Sequence, residues 1–153
     1  MDRQKELYEE IYQSLHKMKS IKLDALFDGL TQHEFIILQI IEKKMRENGK
    51  GIYVSEIADY MNVSTPAISR KLGMLEEKGF IIRNTDEEDR RNIYVCLTDK
   101  GKIVRREACK KMKILSMRVI KKMGCDKVEK MINLWDEYSQ EIQNVSEMMK
   151  RGE

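Results

Sequence analysis

Two clusters hold the side chains best suited to contacting a polyanion. The first is Ser64, Thr65, Pro66, Ala67, Ser69, Arg70 and Lys71, and the second is Arg90 with Arg91. Small hydroxyls let a backbone approach a phosphate or a base edge closely, and a helix N-terminus itself attracts phosphate. Arg70 has the planar fork that matches guanine O6 and N7. A guanidinium on a thin loop fits a minor groove, where the potential is most negative. Asp89, two residues before Arg91, is placed to hold that arginine extended through a salt bridge.

Such groups need elements to present them. Leu7, Tyr8, Ile11, Tyr12, Leu15 and Met18 recur at helical spacing and predict a helix over 2–19. Lys22 to Gly29 is a connector containing Leu26 and Phe27. Thr31 and Glu34 fit a capping box, with Leu30 and Phe35 at the positions of a hydrophobic staple. That helix continues through Ile37, Leu38, Ile41 and Met45 and stops near Asn48-Gly49. Gly51 to Val54 reads as one short strand. Ser55 is placed to cap a short helix, Glu56 to Met61, which a break at Asn62-Val63-Ser64 ends.

Thr65 and Pro66 open the next helix, since proline is tolerated where the first N–H groups have no partner. It buries Ile68, Leu72 and Leu75 and ends at Lys78, with Gly79 as a left-handed stop. Phe80 to Arg83 and Ile93 to Leu97 then predict a β-hairpin with a polar tip, Asn84 to Asn92. Thr98 caps a helix from Asp99 to Met123, ended by Gly124. Asp126 and Glu129 form a box-like start for the last one. Short helix, tight break, second helix and hairpin is the order of a winged helix-turn-helix. The expected fold class is therefore mainly α with a small β-wing.

The last helix has a heptad pattern. Val128, Trp135, Ile142 and Met149 are seven apart, and Met131, Tyr138 and Val145 follow the same period offset by three. A single chain can close such a seam against its own first helix, but at a chain end a heptad seam more often meets a partner helix. With Leu7 and Ile11 of the first helix, it predicts a helical dimerisation region formed by the N- and C-terminal helices, and hence a homodimer. The winged helix is expected over 31–98 and the dimerisation helices over 1–24 and 99–153, all within one unit, 1–153.

Composition narrows the function classes. The chain has 153 residues and a net charge of +3. Residues 99–123 hold ten Lys or Arg against two acids, whereas 125–153 hold four against seven. Residues 62–98 balance at six against six. Attraction to a polyanion must then come from individually placed arginines and from the basic helix. No apolar run is long enough to span a membrane, and the charged start lacks the apolar core of a secretory signal, so a cytoplasmic location is expected. Cys96, Cys109 and Cys125 form no C-x-x-C and predict reduced, mostly buried thiols. Two histidines at no ligand spacing predict no metal site, and no cofactor is expected. Phosphate-loop, dinucleotide, zinc-protease and nucleophile-elbow motifs are missing from the sequence, so no enzymatic activity is expected.

Val63-Ser64-Thr65-Pro66-Ala67-Ile68-Ser69-Arg70, then Leu75-Glu76-Glu77-Lys78-Gly79-Phe80-Ile81, Asp89-Arg90-Arg91 and Val95-Cys96-Leu97-Thr98-Asp99-Lys100-Gly101 resemble the multiple-antibiotic-resistance regulator (MarR) family. The most specific part is D-x-R…L-T-x-x-G, matched by Asp89, Arg91, Leu97, Thr98 and Gly101. The resemblance implies a homodimeric winged-helix transcription factor that binds double-stranded DNA, with the second helix in the major groove and a wing arginine in the minor groove. It implies a repressor at a palindromic operator, released by a small aromatic or phenolic effector. Tyr12, His16 and Phe27 are the candidate pocket residues, near the junction of the first two helices. The reactive N-terminal cysteine of the oxidant-sensing branch has no counterpart, since residues 1–95 contain no cysteine. The same elements admit two other readings: a winged-helix protein–protein adapter, and a redox-responsive regulator acting through Cys109 or Cys125.

Overall fold

The computed structural model describes residues 2–23, 26–27, 29–86 and 92–152. Nine elements follow one another: α1 (Asp2–Ser20), α2 (Gln32–Asn48), β1 (Ile52–Tyr53), α3 (Val54–Met61), α4 (Thr65–Glu77), β2 (Ile81–Thr85), β3 (Ile93–Leu97), α5 (Asp99–Met123) and α6 (Cys125–Arg151). The fold is mainly helical with a three-stranded antiparallel sheet in the order β1-β3-β2. No described helix is long and apolar enough to cross a membrane.

The chain forms two compact units, Met1–Lys111 and Met112–Glu153. The first holds the core. Ile37, Leu38 and Ile41 of α2, Ile57 of α3, and Ile68, Leu72 and Leu75 of α4 are fully buried beside Val95 of β3. Each such side chain contributes about 1.5–3 kcal/mol relative to exposure. β3 alternates as expected for a half-covered strand, with Val95 and Leu97 inward. The second unit holds the end of α5 and all of α6, and no residue of α6 is buried.

Local chemistry sets most boundaries. The Thr31 hydroxyl accepts from the Glu34 N–H at 3.2 Å, and the Glu34 carboxylate accepts from the Thr31 N–H at 2.7 Å. This is the predicted capping box. Between α3 and α4, Asn62 adopts φ 49°, and the Val63 N–H reaches back to the Ala58 carbonyl at 3.1 Å. That left-handed stop makes the tight turn of the helix-turn-helix. Thr98 caps α5 as predicted, its hydroxyl accepting from the Gly101 N–H at 3.0 Å while donating to the Gly79 carbonyl at 2.7 Å.

Five expectations are corrected. Ser55 does not cap α3; the helix starts at Val54, and the Tyr53 N–H donates to the Glu56 carboxylate at 3.0 Å. The strand expected over Gly51 to Val54 shrinks to Ile52–Tyr53, because the Asn48 side chain binds Gly51 on one side and α3 claims Val54 on the other. β2 begins at Ile81 and not at Phe80, whose N–H is taken by the Leu75 carbonyl in the α4 stop; the strand then runs on to Thr85, opposite Ile93. Asp126 and Glu129 form no box: α6 starts at Cys125 with Gly124 as its cap, and Asp126 already lies in the first turn. The thiols are not mostly buried. Cys125 is exposed and Cys96 and Cys109 are half-buried, because α6 is uncovered and the other two lie at the rim of the core.

Candidate nucleic-acid interface

Helix α4 is anchored by one face and open on the other. Ile68, Leu72 and Leu75 lock it to the core, while Ser64, Thr65, Pro66 and Arg70 are exposed. Ser64 is its N-cap in extended conformation (φ −69°, ψ 147°), and its hydroxyl makes no capping hydrogen bond. The helix end therefore presents a hydroxyl beside the Thr65 N–H, while Pro66 carries no N–H and that of Ala67 bonds the Ser64 carbonyl at 3.0 Å. Among the described residues the Arg70 guanidinium has no ion-pair partner. Ala67, Ser69 and Lys71 are half-buried and not fully outward. For Ser69 the cause is Arg83 of β2, which donates to its carbonyl at 3.0 Å and to its hydroxyl at 3.4 Å.

The base of the hairpin is braced from both sides. The Asp86 N–H donates to the Asn92 carbonyl at 2.9 Å, extending the β2–β3 ladder. The Tyr53 hydroxyl donates to the Asp86 carboxylate at 2.5 Å, tying β1 to the same spot. Asp89, Arg90 and Arg91 lie outside the described residues. The described part of this polar surface thus comprises α4 and the root of the hairpin.

The glycine of the L-T-x-x-G run has a steric reason. A Cβ on Gly101 would stand 1.9 Å from the Phe80 carbonyl oxygen. That carbonyl also accepts from the Thr98 N–H at 3.1 Å. The run therefore welds the start of α5 to the end of α4 and the foot of the hairpin.

Charge is managed at two further places. Glu34 is a carboxylate only 3% exposed, with Lys78 Nζ at 2.7 Å. Burial pushes its pKa up, but the hydrogen bonds from Lys78 and the Thr31 N–H outweigh that and hold it below the ordinary value. Burial pushes the Cys96 thiol up, partly offset by Asn84 and Lys102. That thiol donates to the Lys50 carbonyl at 2.6 Å.

The residues assigned to pairing are exposed or half-buried. On α6, Met131, Trp135, Tyr138, Ile142, Val145 and Met149 are each at least 40% exposed; Val128 is half-buried. On α1, Leu7 is exposed and Ile11 half-buried. Tyr138, Ile142, Val145 and Met149 line an apolar groove of about 580 Å³ along α6. Of the suggested pocket residues, Tyr12 and His16 are exposed on α1. Phe27 is instead a core side chain, stacked on Phe35 with ring centroids 4.9 Å apart. Sequence reasoning missed Arg83 and Tyr53. A signal existed for Arg83: it shares a strand face with buried Ile81, where an arginine must find acceptors.

Comparison with known proteins bears on this surface. The sequence model of the MarR family matches residues 30–93, from the start of α2 to the return strand of the hairpin. Over those residues the chain is similar to the MarR family. The HTH-type transcriptional regulator SarZ of Staphylococcus epidermidis is 30% identical over 74 residues, 48% of this chain and 47% of SarZ. The chain thus spans about half the length of that curated relative. Among solved structures, the YusO protein of Bacillus subtilis is 25% identical with a TM-score of 0.63, covering 89% of this chain and 96% of YusO. Streptococcus pneumoniae FabT, crystallised in complex with DNA, shares the fold at 20% identity and a TM-score of 0.68, covering 94% of this chain and 98% of FabT. The segment matched by the MarR-family model contains α4, β2, the first residue of β3 and every residue of the two polar clusters.

Proposed function

We propose that this protein is a DNA-binding transcriptional regulator that reads a palindromic site as a homodimer. The observation that carries it is α4 itself: a helix anchored by Ile68, Leu72 and Leu75 presents an exposed Ser64, whose hydroxyl makes no capping hydrogen bond, and an exposed Arg70 with no ion-pair partner among the described residues, inside the segment that the MarR-family model matches. An anchored helix with an open polar end is what major-groove reading requires. Ser64, Thr65, Pro66, Ala67, Ser69, Arg70 and Lys71 approach the groove. Arg90 and Arg91, with Asp89 orienting the latter, reach the neighbouring minor groove. FabT, a protein of the same fold, was crystallised in complex with DNA, and this supports DNA as the partner.

In this reading residues 31–98 read DNA, and 1–24 and 99–153 pair the copies. The uncovered apolar stripe of α6 supports pairing, because a contiguous exposed seam at heptad spacing is the surface that a partner helix covers. Two reading helices then meet successive major grooves about 34–36 Å apart. Repression, and its release by a small aromatic molecule near Tyr12 and His16, belong to the same proposal. A ligand that favours one dimer spacing shifts the population and breaks register with the grooves.

The test is in vitro selection of random duplexes with the full chain, followed by anisotropy titration across a salt series. An enriched inverted repeat, bound more tightly than a scrambled duplex and with steep salt dependence, is the expected result. Equal affinity for both duplexes would defeat the reading.

A further inference from the structure

Arg83 belongs to neither polar cluster, and its side chain turns back onto α4. Nη2 donates to the Ser69 carbonyl at 3.0 Å, Nη1 to the Ser69 hydroxyl at 3.4 Å, and Nε lies 3.2 Å from Glu76 Oε2. Ser69 and Glu76 are two helical turns apart, so the guanidinium lies along the helix. Gly73 sits between them, and a Cβ there would stand 3.5 Å from Nη2. A side chain longer than alanine at 73 would block the path.

The consequence falls on Ser69. A guanidinium has donors only, so the serine oxygen must accept from it. The serine proton must then point elsewhere, and among the described residues it has no acceptor. With one lone pair taken, the Ser69 hydroxyl has its proton open for donation at the half-exposed edge of α4. We propose that Arg83 is a positioning residue that holds Ser69 as a hydrogen-bond donor toward a base-edge acceptor, such as guanine O6 or N7 or thymine O4. Arg83 sets base selectivity in this way without touching DNA. The inference rests on the DNA-reading function proposed above.

The experiment uses the full chain, duplexes enriched by its own in vitro selection, and a scrambled duplex of equal length. Arg83→Lys, Ser69→Ala, the double variant and Glu76→Gln are titrated by anisotropy across a salt series, with melting curves as folding controls. Arg83→Lys keeps the charge but loses the fork that spans both partners. The selected duplex is expected to bind about 5- to 20-fold more weakly in Arg83→Lys and in Ser69→Ala, with the double variant no worse than either. The scrambled duplex and the salt slope are expected to stay unchanged. A smaller salt slope in Arg83→Lys would make it a phosphate contact and overturn the inference, as would additive losses. Equal losses by Ser69→Ala on both duplexes would place Ser69 on the backbone and overturn it too. If Arg83→Lys fails to fold, Glu76→Gln decides: it removes the charge that holds one end of the guanidinium, and unchanged selectivity refutes the role. An unmodified chain that enriches no sequence defeats the DNA reading and this inference with it. Selectivity that survives Arg83→Lys defeats this inference alone.

Discussion

The ammonium of Lys78, the cap residue at the end of α4, lies 2.7 Å from Oε1 of Glu34 in the first turn of α2, 44 residues away. It also donates to the Gly29 carbonyl at 3.1 Å. One cation thus ties α4 to α2. Lys78→Met leaves the Glu34 carboxylate buried with only its capping partner. It is expected to lower stability at pH 7 by about 1–3 kcal/mol, read from urea denaturation.

The same pair sets a pH dependence. The folded pKa of Glu34 is lowered, so its stabilisation is fully present above the ordinary carboxylate value of 4.5 and is lost as pH falls through the lowered one. Lys78→Met removes the strongest of the interactions that lower it, and part of that stabilisation goes with it. The gap between wild type and Lys78→Met should therefore narrow from pH 7 toward pH 4. Coincident denaturation midpoints at pH 7 would remove the pair from the stability of the fold.

Gly101 and Gly73 make a matched contrast. Gly101→Ala forces a methyl group into the Phe80 carbonyl, and that backbone cannot move without breaking its bond from Thr98. A loss of about 1–3 kcal/mol or more is expected. Gly73→Ala meets Arg83 only at ordinary contact distance and gains helix propensity, so stability should hold or rise by up to about 1 kcal/mol. Thermal melts of the two variants check this; similar melting temperatures would contradict it.

The three thiols should differ in reactivity. Cys125 is exposed at the first turn of α6, whereas Cys96 is half-buried, held protonated by burial and hydrogen-bonded to Lys50. Native labelling with a disulfide reagent at pH 8 should modify Cys125 first and Cys96 last. Equal rates would argue against the Cys96 environment described here. Repeating the DNA titration after oxidant, with Cys125→Ser and Cys109→Ser, tests the redox-responsive alternative directly.

Trp135 and Ile142 are 53% and 52% exposed on α6. Replacing both with alanine should shift sedimentation toward a monomer and weaken binding to an inverted repeat, since each half-site then binds alone. A double variant that sediments as wild type would move the interface elsewhere.

Arg70→Ala should cost about 1–3 kcal/mol on the selected duplex if the guanidinium reads a guanine, with the loss confined to that base pair. Unchanged affinity would withdraw Arg70 from the interface.

How much of this was legible in sequence depends on how far apart the partners are. The Thr31–Glu34 box, the Ile68, Leu72 and Leu75 stripe of α4, the Thr98 cap and the heptad of α6 were all readable, because each repeats or closes within about two helical turns. The misplaced starts of α3, β2 and α6 show the limit of that local view. Ser55 is a good cap by type, yet Glu56 reaching back to Tyr53 starts the helix one residue earlier.

What only tertiary structure decided lies across longer spans. Arg83 meets Ser69 at 14 residues' separation, Tyr53 meets Asp86 at 33 and Lys78 meets Glu34 at 44. Phe27 looked like a ligand contact and became a core ring, because Phe35 was waiting across the connector. Helix and strand periods are properties of the backbone itself and show in the order of residues. Which distant donor finds which acceptor is set by how the finished elements pack, and residue order alone carries no such distance.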